Sequence, residues 1–117
     1  MPAEPSPQVF FRPGQGHNMN PFPGVNLTTN AGGQMMLSYV TFEEGAVVPV
    51  HAHPHEQGGI LVSGQLQFTI GDRTELLGPG DQWIIPGHVP HTVVAVGGPA
   101  VALDVFYPIR EDYLPKP

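Results

Sequence analysis

Glycine and proline punctuate this chain so often that it has no room for a long helix. Fifteen of each are spread over 117 residues. Between them lie short apolar runs, and nowhere do ten residues follow a helical period. Only IREDYL, residues 109–114, has a helical pattern. The runs read as strands. QMMLSYVTF, residues 34–42, is apolar on both parities, as in a strand buried on both faces. In QLQFTIG, Leu66, Phe68 and Ile70 alternate with Gln65, Gln67 and Thr69, a half-buried strand that ends at a Gly71-Asp72 turn. GILVSG, TELLG, QWIIP, HTVVAV and PAVALDVFYP bring the set to about eight strands, with turn signals every eight to twelve residues. That spacing implies an all-β sandwich or small barrel.

The start of the chain is less regular. Residues 1 to about 8 are proline-rich and read as a loosely attached arm. Residues 9–30 carry Pro13, Gly14, Gly16, Pro21, Pro23 and Gly24, with VFF and VNLTT as candidate edge strands. The reading is an N-terminal arm over residues 1–30, partly flexible, and one domain over residues 31–117. His17 falls in the arm and suits a surface or capping role.

Composition narrows the partners. Four basic against ten acidic residues give a formal charge of −6, which repels nucleic acid and anionic lipid. An anionic substrate would need a local cation, and Arg12, Arg73, Arg110 and Lys116 are the choices. With no cysteine there are no disulfides, thiolate metal sites or thiol nucleophiles. No apolar run approaches a membrane span and no signal sequence is evident, so a soluble cytoplasmic protein is expected.

The chemistry concentrates in GAVVPVHAHPHEQGGILVSG, residues 45–64. His51 and His53, one residue apart on a strand, project to the same side. Gln57 follows after Pro54 allows a turn, and His91 opens the strand HTVVAV. Imidazole is the commonest ligand for zinc, nickel, copper and iron, and an amide oxygen is a neutral complement. His51, His53, Gln57 and His91 are therefore expected around one divalent metal ion (Zn, Ni, Mn or Fe). Three imidazoles and an amide leave the ion its full charge, which favours Lewis acidity over an oxygenase. His55 shares the parity of His51 and His53 but follows Pro54, so a supporting or surface place suits it. Glu56 is expected to face solvent.

Both stretches resemble the cupins. The pattern G-x5-H-x-H-x3,4-E-x6-G is matched by Gly45, His51, His53 and Gly64, with Gln57 in the glutamate position. The pattern G-x5-P-x-G-x2-H-x3-N is matched by Gly80, Pro86 and His91, with His88 in the glycine position and Ala95 in the asparagine position. The resemblance implies a double-stranded β-helix, a small jelly-roll barrel, with the metal inside. Strands apolar on both faces suggest that one sheet is covered from outside, as in a homodimer.

One charge in the last strand stands out. In VALDVFY, Asp104 lies among Val101, Ala102, Leu103, Val105 and Phe106, so burial costs several kcal/mol unless a partner compensates. It is a candidate acid or base. Phe106 shares its parity, and Arg110 lies just past Pro108. The alternative is an ion pair between Asp104 and Arg110 that pins the C-terminus. Trp83, Phe10, Phe11 and Tyr39 read as core or interface residues.

HAHPHEQ at 51–57, IPGHVPH at 85–91 and LDVFYPIREDYL at 103–114 narrow the resemblance, over roughly residues 35–114, to the pectin-degradation protein KdgF family of small cupins. Its members open the ring of 4,5-unsaturated uronate monosaccharides to linear ketonized uronates. The resemblance implies an isomerase- or lyase-type enzyme with His51, His53, Gln57 and His91 as metal ligands. It implies Asp104, Phe106 and Arg110 as the catalytic and substrate-contacting set: Asp104 moves a proton, Arg110 takes the uronate carboxylate, and Phe106 walls the sugar. Competing readings are another metal-dependent cupin enzyme (polyketide cyclase, isomerase or dioxygenase) and a non-catalytic cupin that binds a small ligand or metal.

Overall fold

The computed structural model describes residues 8–116. The loose arm expected over residues 1 to about 8 lies, apart from Gln8, outside the described residues. Ten strands form: β1 His17–Phe22, β2 Val25–Ala31, β3 Met36–Phe42, β4 Val47–His51, β5 Glu56–Ser63, β6 Leu66–Ile70, β7 Arg73–Leu77, β8 Gln82–Ile85, β9 His91–Ala95 and β10 Ala100–Tyr107. A single 3-10 turn, Glu111–Tyr113, is the helical remnant of the IREDYL pattern.

Neighbouring strands are antiparallel throughout, in a six-stranded sheet of order β1-β2-β3-β10-β5-β8 and a four-stranded sheet of order β4-β9-β6-β7. Val25, Leu27 and Val40 from the first meet Leu66, Phe68 and Val93 from the second in one apolar core. The Phe68 and Trp83 rings touch between the sheets with centroids 4.9 Å apart. Burying aromatic side chains of this size contributes on the order of 2–3 kcal/mol each.

Gly64 makes the crossing from β5 in one sheet to β6 in the other. Its φ is +83°, and a Cβ there would lie 2.7 Å from Ala100 Cα and collide with the Pro99 carbonyl. Only glycine combines that conformation with that closeness.

Two expectations are corrected. VNLTT is an interior strand, not an edge: β2 pairs with β1 on one side and with β3 on the other, from Val25 opposite Phe42 to Ala31 opposite Met36. Val25, Leu27 and Thr29 on it are buried, which offsets the cost of ordering a segment whose local pattern is irregular. VFF forms no strand, and its residues are exposed. The second correction concerns β3, which buries one face only: Met36, Ser38, Val40 and Phe42 point inward, while Leu37 is 40% and Tyr39 48% exposed. Among the described residues Val9, Phe10 and Phe11 border a pocket over Leu37, Tyr39 and Leu103 without filling it, so within one chain Leu37 and Tyr39 keep part of their surface exposed. Among the described residues no helix is long and apolar enough to cross a membrane.

Candidate metal and acid-base site

The three histidines converge at one end of the barrel. His51 is the last residue of β4 and His91 the first of β9; they are direct cross-strand partners, with ring centroids 4.2 Å apart. His53 lies two residues beyond the end of β4, not on the strand, and its carbonyl accepts a hydrogen bond from the His88 N–H at 2.7 Å. That tie returns the loop to the cavity, so the H-x-H pair faces one way although the strand has ended. Gln57 enters from the opposite sheet, on β5.

Each ring is oriented through the same atom. Nδ1 of His51 donates to the Pro49 carbonyl at 2.8 Å, Nδ1 of His53 to the His55 carbonyl at 3.1 Å, and Nδ1 of His91 to the Val89 carbonyl at 2.9 Å. A carbonyl only accepts, so the proton sits on Nδ1 and every Nε2 keeps its lone pair for the interior. His51, His53 and His91 each bring a ring nitrogen within 4.8 Å of the others. Nε2 of His91 is buried without a partner. Nε2 of His53 faces Oε1 of Gln57 at 3.0 Å. With the amide so placed, these are two acceptors pointing at each other, an arrangement that a cation between them relieves. Burial pushes the His91 imidazolium pKa down to about 4, and burial and then the Arg110 charge lower that of His53. Neutral imidazole is the form that binds metal, and the donor set fits a divalent ion.

Asp104 stands on β10, facing the same cavity. Its Cα partners are Ser38 on β3 and Gly59 on β5. The Trp83 indole N–H donates to its Oδ1 at 2.9 Å, and the nearby Gln57 side chain favours the ionised carboxylate. Gln57 thus presents its oxygen to His53 while lining the cavity with Asp104. Burial raises the Asp104 pKa to about 6, against the lowering effects of Gln57, Trp83 and Arg110.

Arg110 closes the cavity. Its guanidinium lies 3.9 Å from the Tyr113 ring centre and 5.3 Å from that of Phe106, and it forms a two-point pair with Asp112 at 3.1 and 2.8 Å. No ion pair joins Asp104 to Arg110 among the described residues; Arg110 pairs instead with Asp112, two residues further on. Phe106, 2% exposed, sets its ring edge-on to His53 and Tyr113 and forms the apolar wall. The cavity measures about 40 Å³ and is lined by His51, Gln57, His91, Asp104, Phe106 and Arg110 among others.

A family model described as "Cupin domain" matches residues 38–106, more than half of the chain. The chain belongs to the cupin family. Its backbone is similar to the structure of KdgF from Halomonas sp., with 30% identity, TM-score 0.83, and coverage of 92% of this chain and 99% of that one. It is also similar to an RmlC-like cupin from Shewanella frigidimarina, at 27% identity, TM-score 0.84, and 92% and 96% coverage. A variant of oxalate decarboxylase from Bacillus subtilis shares the fold, with 21% identity, TM-score 0.77, and 85% and 29% coverage.

The cupin pattern also accounts for an odd residue. His88 stands where that pattern has glycine and adopts φ +67°. The position demands a left-handed backbone, which histidine tolerates better than a β-branched residue. All seven residues singled out from the sequence meet at this one cupin cavity or its wall. Four others there carry weight that the linear reading missed. Trp83, read as core, is core and also binds Asp104. Ser38 lines the cavity with its hydroxyl buried and unpartnered. Asp112 and Tyr113 hold Arg110, and the only hint in the sequence was their nearness to it. His55 is buried, 3.7 Å from the Glu111 carboxylate, in a supporting place, and Glu56 is exposed as expected.

Proposed function

We propose that this cupin opens the ring of 4,5-unsaturated uronate monosaccharides, giving linear ketonized uronates, as a metal-dependent cytoplasmic enzyme. The observation that carries the reading is one cavity holding three things at once: a neutral donor set for a divalent metal, a part-buried acid whose pKa is raised to about 6, and an arginine at the rim. Similarity to KdgF at 30% identity supports the same class of substrate. His51, His53, Gln57 and His91 hold the ion. A bound divalent metal supplies Lewis acidity and a template for substrate oxygens.

The remaining work falls to the chain's own groups. Asp104, poised to hold or release a proton, takes one from the anomeric hydroxyl as the ring C–O bond breaks, and delivers one to C4 of the enol so that a ketone forms. Trp83 keeps the carboxyl aimed. Arg110 binds the uronate carboxylate, which a chain of charge −6 would otherwise repel. Phe106 and Tyr113 exclude water. At about 40 Å³ the cavity holds about three waters, so substrate enters as the segment from Pro108 to Tyr113 moves outward, and Arg110 and Tyr113 act on it when the segment settles back against it. That segment is lightly held. Its ties to the rest of the domain include the hydrogen bond from Thr29 Oγ to the Tyr113 carbonyl at 2.9 Å, the Tyr113 ring against Phe106, and the His55–Glu111 pair, whose Glu111 side chain is 80% exposed. Exposed pairs of this kind contribute roughly 0–1 kcal/mol each.

The test is the ultraviolet absorbance of a 4,5-unsaturated uronate with metal-loaded and chelated protein. Faster loss of the conjugated chromophore with loaded protein alone is expected. Loss at the uncatalysed rate in both would reject the substrate class.

We further propose a homodimer through the outer face of the six-stranded sheet. Leu37, Tyr39, Val62 and Ile84 are 40 to 67% exposed there. Leu103 lies opposite both Tyr39 and Ile60, which makes the patch continuous across β3, β10 and β5. Apolar residues make up that patch, with Arg12 at its border beside Leu37, Tyr39 and Leu103, so packing it against a second copy removes apolar surface from water. Sedimentation should give twice the mass of one chain, and Leu103→Glu should give a monomer; a monomeric parent protein would refute the interface.

A further inference from the structure

We infer that Trp83 is the positioning residue for the Asp104 carboxylate, and that Gly59 is the gap through which it reaches it; the inference rests on the ring-opening reading of the site. Three adjacent strands carry the device. Asp104 on β10 pairs with Gly59 on β5, and Gly59 pairs with Trp83 on β8. Trp83 and Asp104 are therefore separated by an intervening strand, about 9–10 Å across the sheet at normal strand spacing. Side chains that far apart ordinarily meet the residue between them. Here that residue has no side chain. A Cβ on Gly59 would lie 2.5 Å from Asp104 Oδ1 and collide with the indole Nε1 and Cε2.

The indole leans across the vacant place and donates to Oδ1 at 2.9 Å. Phe68, from the facing sheet, packs against the ring with centroids 4.9 Å apart and holds it there. An indole N–H can only donate, and when buried it needs an acceptor. The Asp104 carboxylate is that acceptor. With one oxygen fixed by Trp83, rotation of the carboxylate about its terminal bond is restrained, and its remaining lone pairs keep one direction into the cavity. Neither Trp83 nor Gly59 is among the candidate metal ligands, and Arg110 does not touch either in the polar contacts seen. Trp83 also lines the cavity, and a phenyl ring in its place keeps an apolar face there, so removing only the donor is expected to act on proton transfer.

The test uses metal-loaded protein and two readouts. Trp83→Phe keeps an aromatic ring and removes the donor. Its kcat should fall on the order of 10- to 100-fold, the cost of a misaimed catalytic group, with KM within about twofold and metal content unchanged. A merely structural role would lower thermal stability and leave kcat near that of the parent, which would overturn the proposal. The second readout does not depend on that variant folding. Trp83 is the only tryptophan, so uniformly 15N-labelled protein has one indole N–H resonance, and Asp104→Asn should move it upfield as a charged acceptor becomes neutral. An unmoved resonance overturns the contact. If the parent protein leaves the chromophore at the uncatalysed rate, the ring-opening reading fails, and the indole resonance still decides whether Trp83 holds Asp104.

Discussion

Asp104→Asn is expected to cut turnover of the unsaturated uronate by about 10²–10⁴-fold, the usual worth of a positioned acid-base group, with the metal still bound. The amide keeps the shape of the carboxyl and an acceptor for the Trp83 N–H, so the loss reports proton transfer rather than collapse. Stability moves in the other direction. The folded pKa of Asp104 is about 6 against an ordinary 3.8, so between these values the folded chain holds a proton that the unfolded chain has released. The protonated acid's contribution to stability is full below about pH 3.8 and is lost as pH rises through 6. A pKa difference of this size corresponds to about 3 kcal/mol. Asparagine has no charge to desolvate, so in chelated protein the variant should gain on its parent by up to about 3 kcal/mol between pH 4 and pH 8. His91 has the opposite tendency, its depressed pKa weakening the folded state as pH falls from 6.5 towards 4, but both proteins carry it and it cancels in the difference. Urea unfolding at pH 4, 6 and 8 checks this. A difference that does not change with pH would mean that Asp104 is not the part-buried acid, and turnover above a tenth of the parent's would remove it from the reaction.

The second large effect is expected from His91→Ala. His91 offers a buried, unpartnered Nε2 beside those of His51 and His53, and no other imidazole replaces it: His55 is tethered towards Glu111 and His88 belongs to the turn. Losing a supporting partner of a metal ligand costs 10- to 100-fold in affinity, so losing a ligand should cost more than about a hundredfold. Metal bound at a hundredfold excess over its Kd stabilises the folded state by about 2.7 kcal/mol, on the order of 10 °C in Tm for a domain of this size. The parent protein should show that shift on metal addition and lose it to a chelator, while His91→Ala shows neither the shift nor stoichiometric metal by elemental analysis. One equivalent of tightly held metal in the variant would refute the site.

The close spacing of His51 and His53, the strand opened by His91 and the positions of Gly64 and His88 were legible because each is a local matter. A cupin chain turns at fixed intervals, and left-handed backbone is marked by glycine or by a residue that tolerates it. Alternation along β6 was legible for the same reason, since side chains on a strand change face at every residue. On β3 the same rule could say only that both faces are apolar, because what covers a face lies on other strands.

Tertiary structure decided everything that depends on which strands become neighbours. Arg110 meets Asp112 and Tyr113 rather than Asp104 because the chain after β10 folds back over the cavity mouth, which no periodicity in IREDYL records. β2 became an interior strand because β1 returned beside it. Gln57 meets His53 and lines the same cavity as Asp104 because β5 lies next to β10 and opposite the end of β4. Trp83 reaches Asp104 only because glycine stands on the strand between them. Sequence by itself specified residue types, turns and faces, since these follow from backbone geometry within a few residues. The register between strands far apart in the chain follows from burying one shared core, and it is that register which brought an acid, a cation and a set of neutral metal donors into one cavity.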